Sequence, residues 1–544
     1  MKLSLKWLNG AVATVSLVAL TSSSVLAQRP LANPQAITAA HLKSFLTFIA
    51  SDEMEGRNTP SRGLDTAALF IAEHLENWGL KPMGDNGTYF QKISLTRPRV
   101  VTDKCSLTVG GSALKYGEDY YCDRVSGTAQ GPLVFGGFGW LVKAKNIDAY
   151  AGMDVKGKIA VLVPGPRTAP PGLGASDLTG TEGTDYADPV AYAKSKGIAG
   201  IIYLSTSQTS SSWTRNRAAR EGTNGGYRFE GKPREGVTTA AGMPVVYLSE
   251  KSSASLLSGE KLKLTDVYKA IEDEKLLAGF SFPDAKSGEI KTAADEGRVY
   301  TQNVVAVVEG SDPVLKNEYV VCSAHYDHVG LNSNPNAVDK VYNGADDDGS
   351  GTVSIMGIAE ALSRAPKKPK RSVLFVWHCG EEKGLWGSDF YTNYPTVPLK
   401  NIIADLNIDM IGRSKKPGDT NPANRVLTGP DEIYVIGSKM QSTQLGDISE
   451  KVNSEYLKLS FNYKYDDPKD TERIFYRSDH YNYARKGIPI IFYFDGVHED
   501  YHQLGDEVSK IDFQKMEKVV RTVYLTMWEL TGLPQRLVVD KVLK

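Results

Sequence analysis

The chain has 544 residues, of which 41% are hydrophobic, 9% aromatic and 23% charged, so it is long enough for several packed cores. Its 63 lysines and arginines balance 64 aspartates and glutamates to a formal net charge of −1, which argues against a nucleic-acid-binding protein with a surplus of basic residues. The composition also excludes a wholly disordered chain, and 4 cysteines are too few for a disulfide-dense scaffold. These features predict a large globular protein.

The first residues of the chain, 1–27, have the pattern of a signal peptide. Lys2 and Lys6 precede an apolar stretch over residues 11–20, and Ala27 ends a run of small residues suited to cleavage. A membrane anchor needs about 20 apolar residues, and this stretch is too short and too often interrupted by hydroxyl side chains. We therefore expect export to the periplasm or the extracellular space after cleavage near Ala27, with no attachment to a membrane.

Export would permit disulfides. Cys105 and Cys122 flank a short polar stretch and could close a loop, but the sequence leaves open whether they form a disulfide. Cys322 and Cys379 lie in apolar runs and are expected to be buried thiols. None of the four has the paired spacing of a zinc ribbon.

After the predicted signal peptide, the sequence pattern changes from helical to β-rich. Residues 41–51 and 61–78 predict two helices, the second with apolar residues at helical spacing. From about residue 127, short β-rich runs alternate with loops rich in glycine, proline, serine and threonine. Two of these loops, residues 164–189 and 207–236, are too long for a single tight core. The pattern predicts an inserted β-rich module.

From residue 303 the pattern becomes regular α/β. Helical stretches over residues 352–365 and 513–530 lie among continuous apolar runs, which are typical of parallel strands buried on both faces. The predicted strands are 304–308, 319–322, 372–377, 402–408, 433–436 and 488–494. We expect a mainly parallel mixed sheet sandwiched by helices, whose functional groups lie beyond the carboxyl ends of its strands.

Acids and imidazoles follow these predicted strands repeatedly. They are His325 and Asp327, the run Asp346–Asp348, the pair Glu381 and Glu382, Asp409, and His502. Carboxylates gathered at one edge of a sheet repel each other, and bound cations are the simplest remedy. Histidines with several carboxylates and no thiolate suit zinc, and manganese or cobalt less well. The sequence therefore predicts a metal centre at this edge.

The motifs around these residues resemble a known family. They are residues 323–328 (SAHYDH), 344–351 (GADDDGSG), 380–388 (GEEKGLWGS), 406–412 (LNIDMIG), 478–480 (SDH) and 501–503 (YHQ). Together they look like the co-catalytic two-zinc aminopeptidases, secreted bacterial leucyl aminopeptidase-like enzymes related to glutamate carboxypeptidase and the glutaminyl cyclases. The likeness covers residues 51–91 and 303–530 and implies the zinc aminopeptidase fold. The inserted module resembles the protease-associated domain.

The resemblance implies a ligand set for two Zn²⁺ ions per chain. Asp347 would bridge the ions, His325 and Asp409 would complete one of them, and Glu382 and His502 the other. The peptide bond that follows Asp347 is expected to be cis.

The resemblance also implies roles around the ions. Asp327 would hold the ring of His325 in its metal-binding orientation. Glu381 would be the general base, taking a proton from a metal-bridging water and passing it to the leaving amine. Tyr501 would donate a hydrogen bond to the developing oxyanion, and Asp479 is a candidate substrate contact.

These roles divide the chain into four segments. They are a signal peptide, 1–27; the amino-terminal part of a peptidase domain, 28–125; an inserted protease-associated domain, 126–280; and the metal-binding part of the peptidase domain, 281–544. The implied activity is that of a secreted exopeptidase that removes the amino-terminal residue of peptides. Carboxypeptidase activity, the preferred side chain, the oligomeric state and the role of the insert stay open. A glutaminyl cyclase-like acyltransferase and a non-catalytic binding protein of the receptor type are the alternatives.

A competing motif lies near the end of the chain. Residues 498–502 read His-Glu-Asp-Tyr-His, which matches the signature of a one-zinc metalloprotease. That chemistry needs both histidines on one face of a helix. Gly496 and Gly505 bracket the segment and predict a loop instead. We therefore expect His502 to bind metal and His498 and Glu499 to be ordinary loop residues.

Overall fold

The computed structural model describes residues 32–165, 168–222, 226–231, 241–334, 336–467 and 469–543. The predicted signal peptide lies outside this part of the chain. The chain divides into two compact units, here called the first unit (Met1–Ile93 with Tyr300–Lys544) and the second unit (Ser94–Val299).

The first unit is built on a mixed sheet with parallel central strands. Its main strands are β1 (Val299–Val308), β2 (Tyr319–His325), β3 (Ser372–His378), β4 (Ile402–Ile408), β5 (Glu432–Ile436), β6 (Ser460–Asn462) and β7 (Ile490–Phe494). Their order across the sheet is β1-β3-β2-β4-β7-β5-β6. β2 is parallel to both β3 and β4, and β4 to β7, whereas β1 and β5 are antiparallel to their neighbours β3 and β7. The mainly parallel α/β sheet expected from the sequence is confirmed.

Burial explains why the central strands have continuous apolar sequences. Every residue of β3 and of β4 is buried. Parallel neighbours need crossover connections, and the helices of these connections cover the sheet. The helices of the first unit, in crossovers and elsewhere, are α1 (Ala39–Ile49), α2 (Arg62–Asn77), α3 (Gly351–Ser363), α4 (Trp386–Asn393), α5 (Thr443–Glu455), α6 (His480–Ala484) and α7 (Phe513–Gly532). Among the described residues, no helix combines the length and apolar character that a bilayer crossing needs.

The ends of the first two helices have clear sequence causes. The Thr38 side chain accepts a hydrogen bond from the amide of His41 at 3.2 Å and caps α1. Ser61 caps α2 in the same way, at 3.1 Å from the amide of Leu64. Gly79 follows α2 with a φ of 75°, a left-handed conformation that glycine adopts without steric cost. The helices predicted over residues 41–51 and 61–78 thus correspond to α1 and α2.

The second unit is a separate, β-rich fold with its own apolar core. Across its main sheet the strands are Ser112–Leu114, Ser106–Val109, Ser287–Thr292, Gly127–Phe135, Ile159–Leu162, Gly200–Tyr203, Val245–Leu248 and Tyr120–Cys122. Its helices are Pro189–Ser195, Ser207–Ser211, Trp213–Glu221, Glu250–Leu256 and Leu264–Glu272. The predicted insert, residues 126–280, lies inside this unit. Its assignment as a protease-associated domain stays a prediction.

Candidate metal centre

The predicted ligands meet at the carboxyl edge of the central strands. His325 is the last residue of β2, and Asp409 directly follows β4. Glu382 lies in a short turn after β3. Asp347 lies in an irregular turn that leads into α3, and its peptide bond to the next residue is cis, as expected. His502 comes from the loop after β7, where it has a left-handed φ of 54°.

Three of these side chains form what we call the first cluster: His325, Asp347 and Asp409. The His325 Nε2 atom lies 3.3 Å from Asp347 Oδ1 and 3.6 Å from Asp409 Oδ1. All three residues are buried, and one atom of each lies within 4.8 Å of the others, which suits a single ion. The structure therefore brings together the three residues that the sequence assigned to one ion.

The second cluster shares Asp347 and adds Glu382, His502 and His328. The His502 Nε2 atom lies 3.0 Å from both Asp347 Oδ2 and Glu382 Oε2. His328 was not singled out from the sequence, yet its Nδ1 atom lies 3.0 Å from Glu382 Oε1 and 3.8 Å from Asp347 Oδ2. Because one oxygen of Asp347 faces each cluster, this carboxylate has the arrangement of a bridge.

Unsatisfied polar atoms test whether a cation fits these clusters. His325 Nε2, His328 Nδ1, Asp347 Oδ2 and Glu382 Oε1 are all buried without a hydrogen-bond partner. A buried polar atom without a partner costs about 1–3 kcal/mol, so four of them facing one another need a ligand of their own. Neither cluster contains a cysteine. Nitrogen and oxygen donors in this number fit zinc.

The charges of the clusters support the same conclusion. Burial lowers the pKa of His325, but the nearby carboxylates of Asp409 and Glu381 outweigh it, so the pKa lies well above its ordinary value. Burial raises the pKa of Glu381, and the positive charge of His325 opposes this effect. Buried carboxylates this close together place several negative charges in one site, and bound cations would balance them.

Asp327 contacts His325, Glu381 and Thr59 beside the two clusters. Its backbone carbonyl lies 3.2 Å from the Nδ1 atom of His325, closer than its carboxylate, which lies 3.7 Å away. The carboxylate accepts hydrogen bonds from the amide of Glu381 at 3.1 Å and from the hydroxyl of Thr59 at 2.9 Å. Asp327 therefore positions both the His325 ring and the turn that carries Glu381.

Tyr501 and Asp479 occupy different surroundings. Tyr501 stacks on His502 with ring centroids 4.0 Å apart, and it lines a cavity that also reaches Asp347, Glu381 and Asp409. Asp479 is completely buried and does not line this cavity. Burial raises its pKa to about 7. The structure thus brings Tyr501 to the centre, while the proposed substrate contact of Asp479 stays a prediction.

His498 is not the ordinary loop residue that the sequence suggested. It is 3% exposed, its Nε2 atom lies 3.1 Å from Asp346 Oδ2, and its Nδ1 atom lies 3.4 Å from the guanidinium of Arg413. The segment 498–502 is irregular rather than helical, so its two histidines point to different places. His502 reaches the second cluster, and His498 contacts the residue that precedes Asp347.

The fold and the site define an α/β protein with a metal centre of two adjoining ligand clusters at the carboxyl edge of its sheet. Residues 303–527 match the sequence model of peptidase family M28. The matched segment contains every residue of both clusters.

The chain is also similar to individual peptidases. The chain is 28% identical over 254 residues to a probable zinc metalloprotease of Pyrenophora tritici-repentis, covering 42% of this chain and 57% of the relative. It is also 28% identical over 236 residues to leucine aminopeptidase 2 of Trichophyton rubrum, covering 39% and 41%. It thus spans about half the length of these two relatives (57% and 41%). The solved zinc aminopeptidase of Bacillus subtilis is 18% identical with a TM-score of 0.44, covering 93% of this chain and 98% of that one.

Proposed function

We propose that this chain is a zinc-dependent exopeptidase that removes the amino-terminal residue of peptides. The observation that carries the proposal is Asp347, a buried carboxylate with one oxygen facing each of two clusters, in which several ligand atoms have no hydrogen-bond partner. Each cluster would hold one Zn²⁺. The match of residues 303–527 to the model of peptidase family M28 and the similarity to a leucine aminopeptidase support the reaction class.

The residues beside the clusters supply the acid–base chemistry. Zinc bound there would polarise the scissile carbonyl and lower the pKa of a coordinated water. Glu381 acts as the general base, because its Oε2 atom lies 4.0 Å from His325 Nε2 but Glu381 belongs to neither ligand group. It accepts a proton from the attacking water and passes it to the leaving amine. Tyr501 donates a hydrogen bond to the oxyanion that develops on the carbonyl.

The cavity beside the clusters favours an amino-terminal substrate with an apolar side chain. Glu381 and Asp409 line it and provide negative charge for a free ammonium group. The rest of the lining is mainly apolar, from Met410, Ile474, Phe492, Phe494 and Val497. Arg477 also lines the cavity and is the group that would recognise the free carboxylate of a carboxypeptidase substrate. Carboxypeptidase activity is therefore the second candidate.

Leucyl p-nitroanilide, its N-acetylated form and a peptide with a blocked amino terminus separate these activities. We expect hydrolysis of the first substrate and none of the blocked ones. Cleavage of blocked peptides from the carboxyl end would instead favour the carboxypeptidase. Release of ammonia from a glutaminyl peptide without peptide cleavage would reveal a cyclase, and bound zinc without turnover of any substrate would favour a binding protein.

The neighbouring glutamates provide a matched pair of variants. Glu381→Gln should keep its zinc and lose activity by a factor of about 10² to 10⁴, because only the base is removed. Glu382→Gln should lose zinc from the second cluster. If Glu381→Gln loses the metal while Glu382→Gln retains it, the two roles are reversed.

Export is part of the same proposal. It rests on the pattern of residues 1–27. Expression with the full leader should give a mature protein that begins just after Ala27 and accumulates outside the cytoplasm. An uncleaved protein that still begins with Met1 and stays in the cytoplasm would contradict the proposed export.

A further inference from the structure

We propose that His328 is a direct ligand of the metal ion in the second cluster, so that this ion is held by two histidines from different loops. The inference rests on the proposed zinc centre and extends its ligand set. The second ion would then have His328, His502, Glu382 and Asp347 as protein ligands, and the first ion only three. The two positions are therefore chemically unequal.

The position of His328 follows from the end of β2. His325 is the last residue of that strand and faces the first cluster, while His328 lies just beyond it, is completely buried and faces the second. The His328 ring packs against Gly344, where a β-carbon would lie 2.5 Å from the ring carbon Cγ. Gly344 has a φ of 56°. The close backbone approach therefore fixes the ring in place.

The distances around His328 are those of atoms that share an ion. Its Nδ1 atom lies 3.0 Å from Glu382 Oε1 and 3.8 Å from Asp347 Oδ2. Ligand atoms at about 2.0–2.1 Å from a tetrahedral zinc are about 3.3–3.4 Å apart, which lies between these two values. One cation near all three atoms therefore accounts for both separations.

A hydrogen bond from His328 to Glu382 is the competing explanation. The 3.0 Å separation is short enough for one, yet neither atom makes a hydrogen bond. The Nε2 atom of His328 has no partner either, so hydrogen bonding does not account for a fully buried imidazole at this position. Atoms that bind a common ion lie close together, and these two atoms are 3.0 Å apart.

His328 and His502 differ in their exposure to solvent, and this difference bears on how tightly the second ion is held. The His502 side chain is 36% exposed, whereas that of His328 is completely buried. His328 would thus be the ligand that solvent does not reach. Loss of the His328 imidazole should weaken zinc binding at the second position by more than about 10²-fold, because loss of a residue that only supports a ligand costs about 10–100-fold. Zinc at the first position should be much less affected.

Metal binding tests the inference without reference to activity. Zinc affinities of the parent chain, His328→Ala and His502→Ala are measured by chelator competition, and the Co²⁺-loaded forms by visible absorption. We expect both variants to lose affinity at one of two positions and to change the Co²⁺ spectrum. His480→Ala is the matched control, because His480 is equally buried but hydrogen-bonds the carbonyl of Phe475 at 2.7 Å. It should keep both ions.

A second variant guards against misfolding of His328→Ala. His328→Cys places a thiolate at the same position, and a cobalt–thiolate charge-transfer band in the Co²⁺ form would support direct ligation. Unchanged zinc affinity and an unchanged Co²⁺ spectrum in His328→Ala would overturn it. A parent chain that binds no zinc would instead overturn the proposed function, so the two failures are distinguishable.

Discussion

Arg57 links three parts of the first unit through one buried guanidinium. It donates hydrogen bonds to the carbonyl oxygens of Ile49 at 2.6 Å, Asn343 at 2.7 Å, and Tyr326 and Gly344 at 2.9 Å. Tyr326 follows the first-cluster histidine, and Gly344 lies just before the aspartate turn. We therefore expect Arg57→Met to destabilise the first unit and to weaken zinc binding, because the backbone around both clusters loses its common donor.

The size of the effect follows from the contacts. Methionine fills much of the space but leaves three buried carbonyls without a donor, because the carbonyl of Gly344 also accepts a hydrogen bond from the amide of Gly349 at 3.1 Å. At about 1–3 kcal/mol each, these three cost roughly 3–9 kcal/mol together. Burial lowers the pKa of Arg57 from 12.5 to about 10, which corresponds to about 3 kcal/mol of desolvation that methionine does not carry. The difference leaves roughly 0–6 kcal/mol. We expect a loss near the middle, about 3 kcal/mol.

Urea denaturation of parent and variant chains measures this loss. Arg364→Met is the control, because the Arg364 side chain is 60% exposed and pairs only with Glu360 on the same helix. Such a pair contributes about 0.3–0.5 kcal/mol. Arg57→Lys should be intermediate, because an ammonium retains the charge but cannot reach all four carbonyls. If the free energy of unfolding of Arg57→Met lies within about 0.5 kcal/mol of that of the control variant, the hydrogen bonds of Arg57 do not stabilise the first unit.

Three other predictions concern the pH dependence of stability, the oxidation of two cysteines, and the role of His498. Burial lowers the pKa of His480 to about 3. Below about pH 6.5 the His480 imidazole is therefore protonated in the unfolded chain but not in the folded one. The free energy of unfolding falls as the pH is lowered, and at about pH 5 it is about 2 kcal/mol smaller than above pH 6.5. His480→Gln should lose this part of the pH dependence in urea titrations, and an unchanged dependence would contradict it. The sulfur atoms of Cys105 and Cys122 lie 3.7 Å apart across a separation of 17 residues. Glutathione disulfide should join them and stabilise the second unit by about 3 kcal/mol, whereas four free thiols after oxidation would rule this out. His498→Ala should cost about 1–3 kcal/mol and weaken zinc binding, since the Oδ2 atom of Asp346 loses its contact with the imidazole. A variant indistinguishable from the parent would show that His498 is an ordinary loop residue after all.

The sheet was predictable because burial on both faces imposes one simple requirement on the sequence. Strands β3 and β4 are buried throughout, and their continuous apolar runs predicted them closely. β6 was missed, because Ser460–Asn462 is a short edge strand with only partly buried residues. An edge strand needs neither a continuous apolar run nor a strict alternation. Periodicity therefore carries no signal there.

Some residues of the site could likewise be predicted from the sequence, and others could not. Residues at strand ends were found, because the topology alone brings them to one edge. His328, His498 and Arg57 were missed as functional groups, since each depends on a contact between segments far apart in the chain. Arg57 and Gly344 are separated by 287 residues, and His498 and Asp346 by 152. A histidine three residues after the predicted ligand His325 was the available signal for His328, but spacing does not tell which cluster a side chain faces.

The three consecutive aspartates show why neighbouring identical residues differ in role. Asp348 accepts hydrogen bonds from the amides of His325 at 3.2 Å, Gly351 at 2.8 Å and Met410 at 3.2 Å. Asp346 accepts one from the amide of Gly412 at 2.6 Å and faces His498. Both flanking carboxylates thus tie the turn to neighbouring segments. Asp347 keeps an oxygen without a hydrogen-bond partner. A turn of three aspartates would be unstable if all three lacked partners, so the outer two fix the position of the middle one, and the middle one needs the cation.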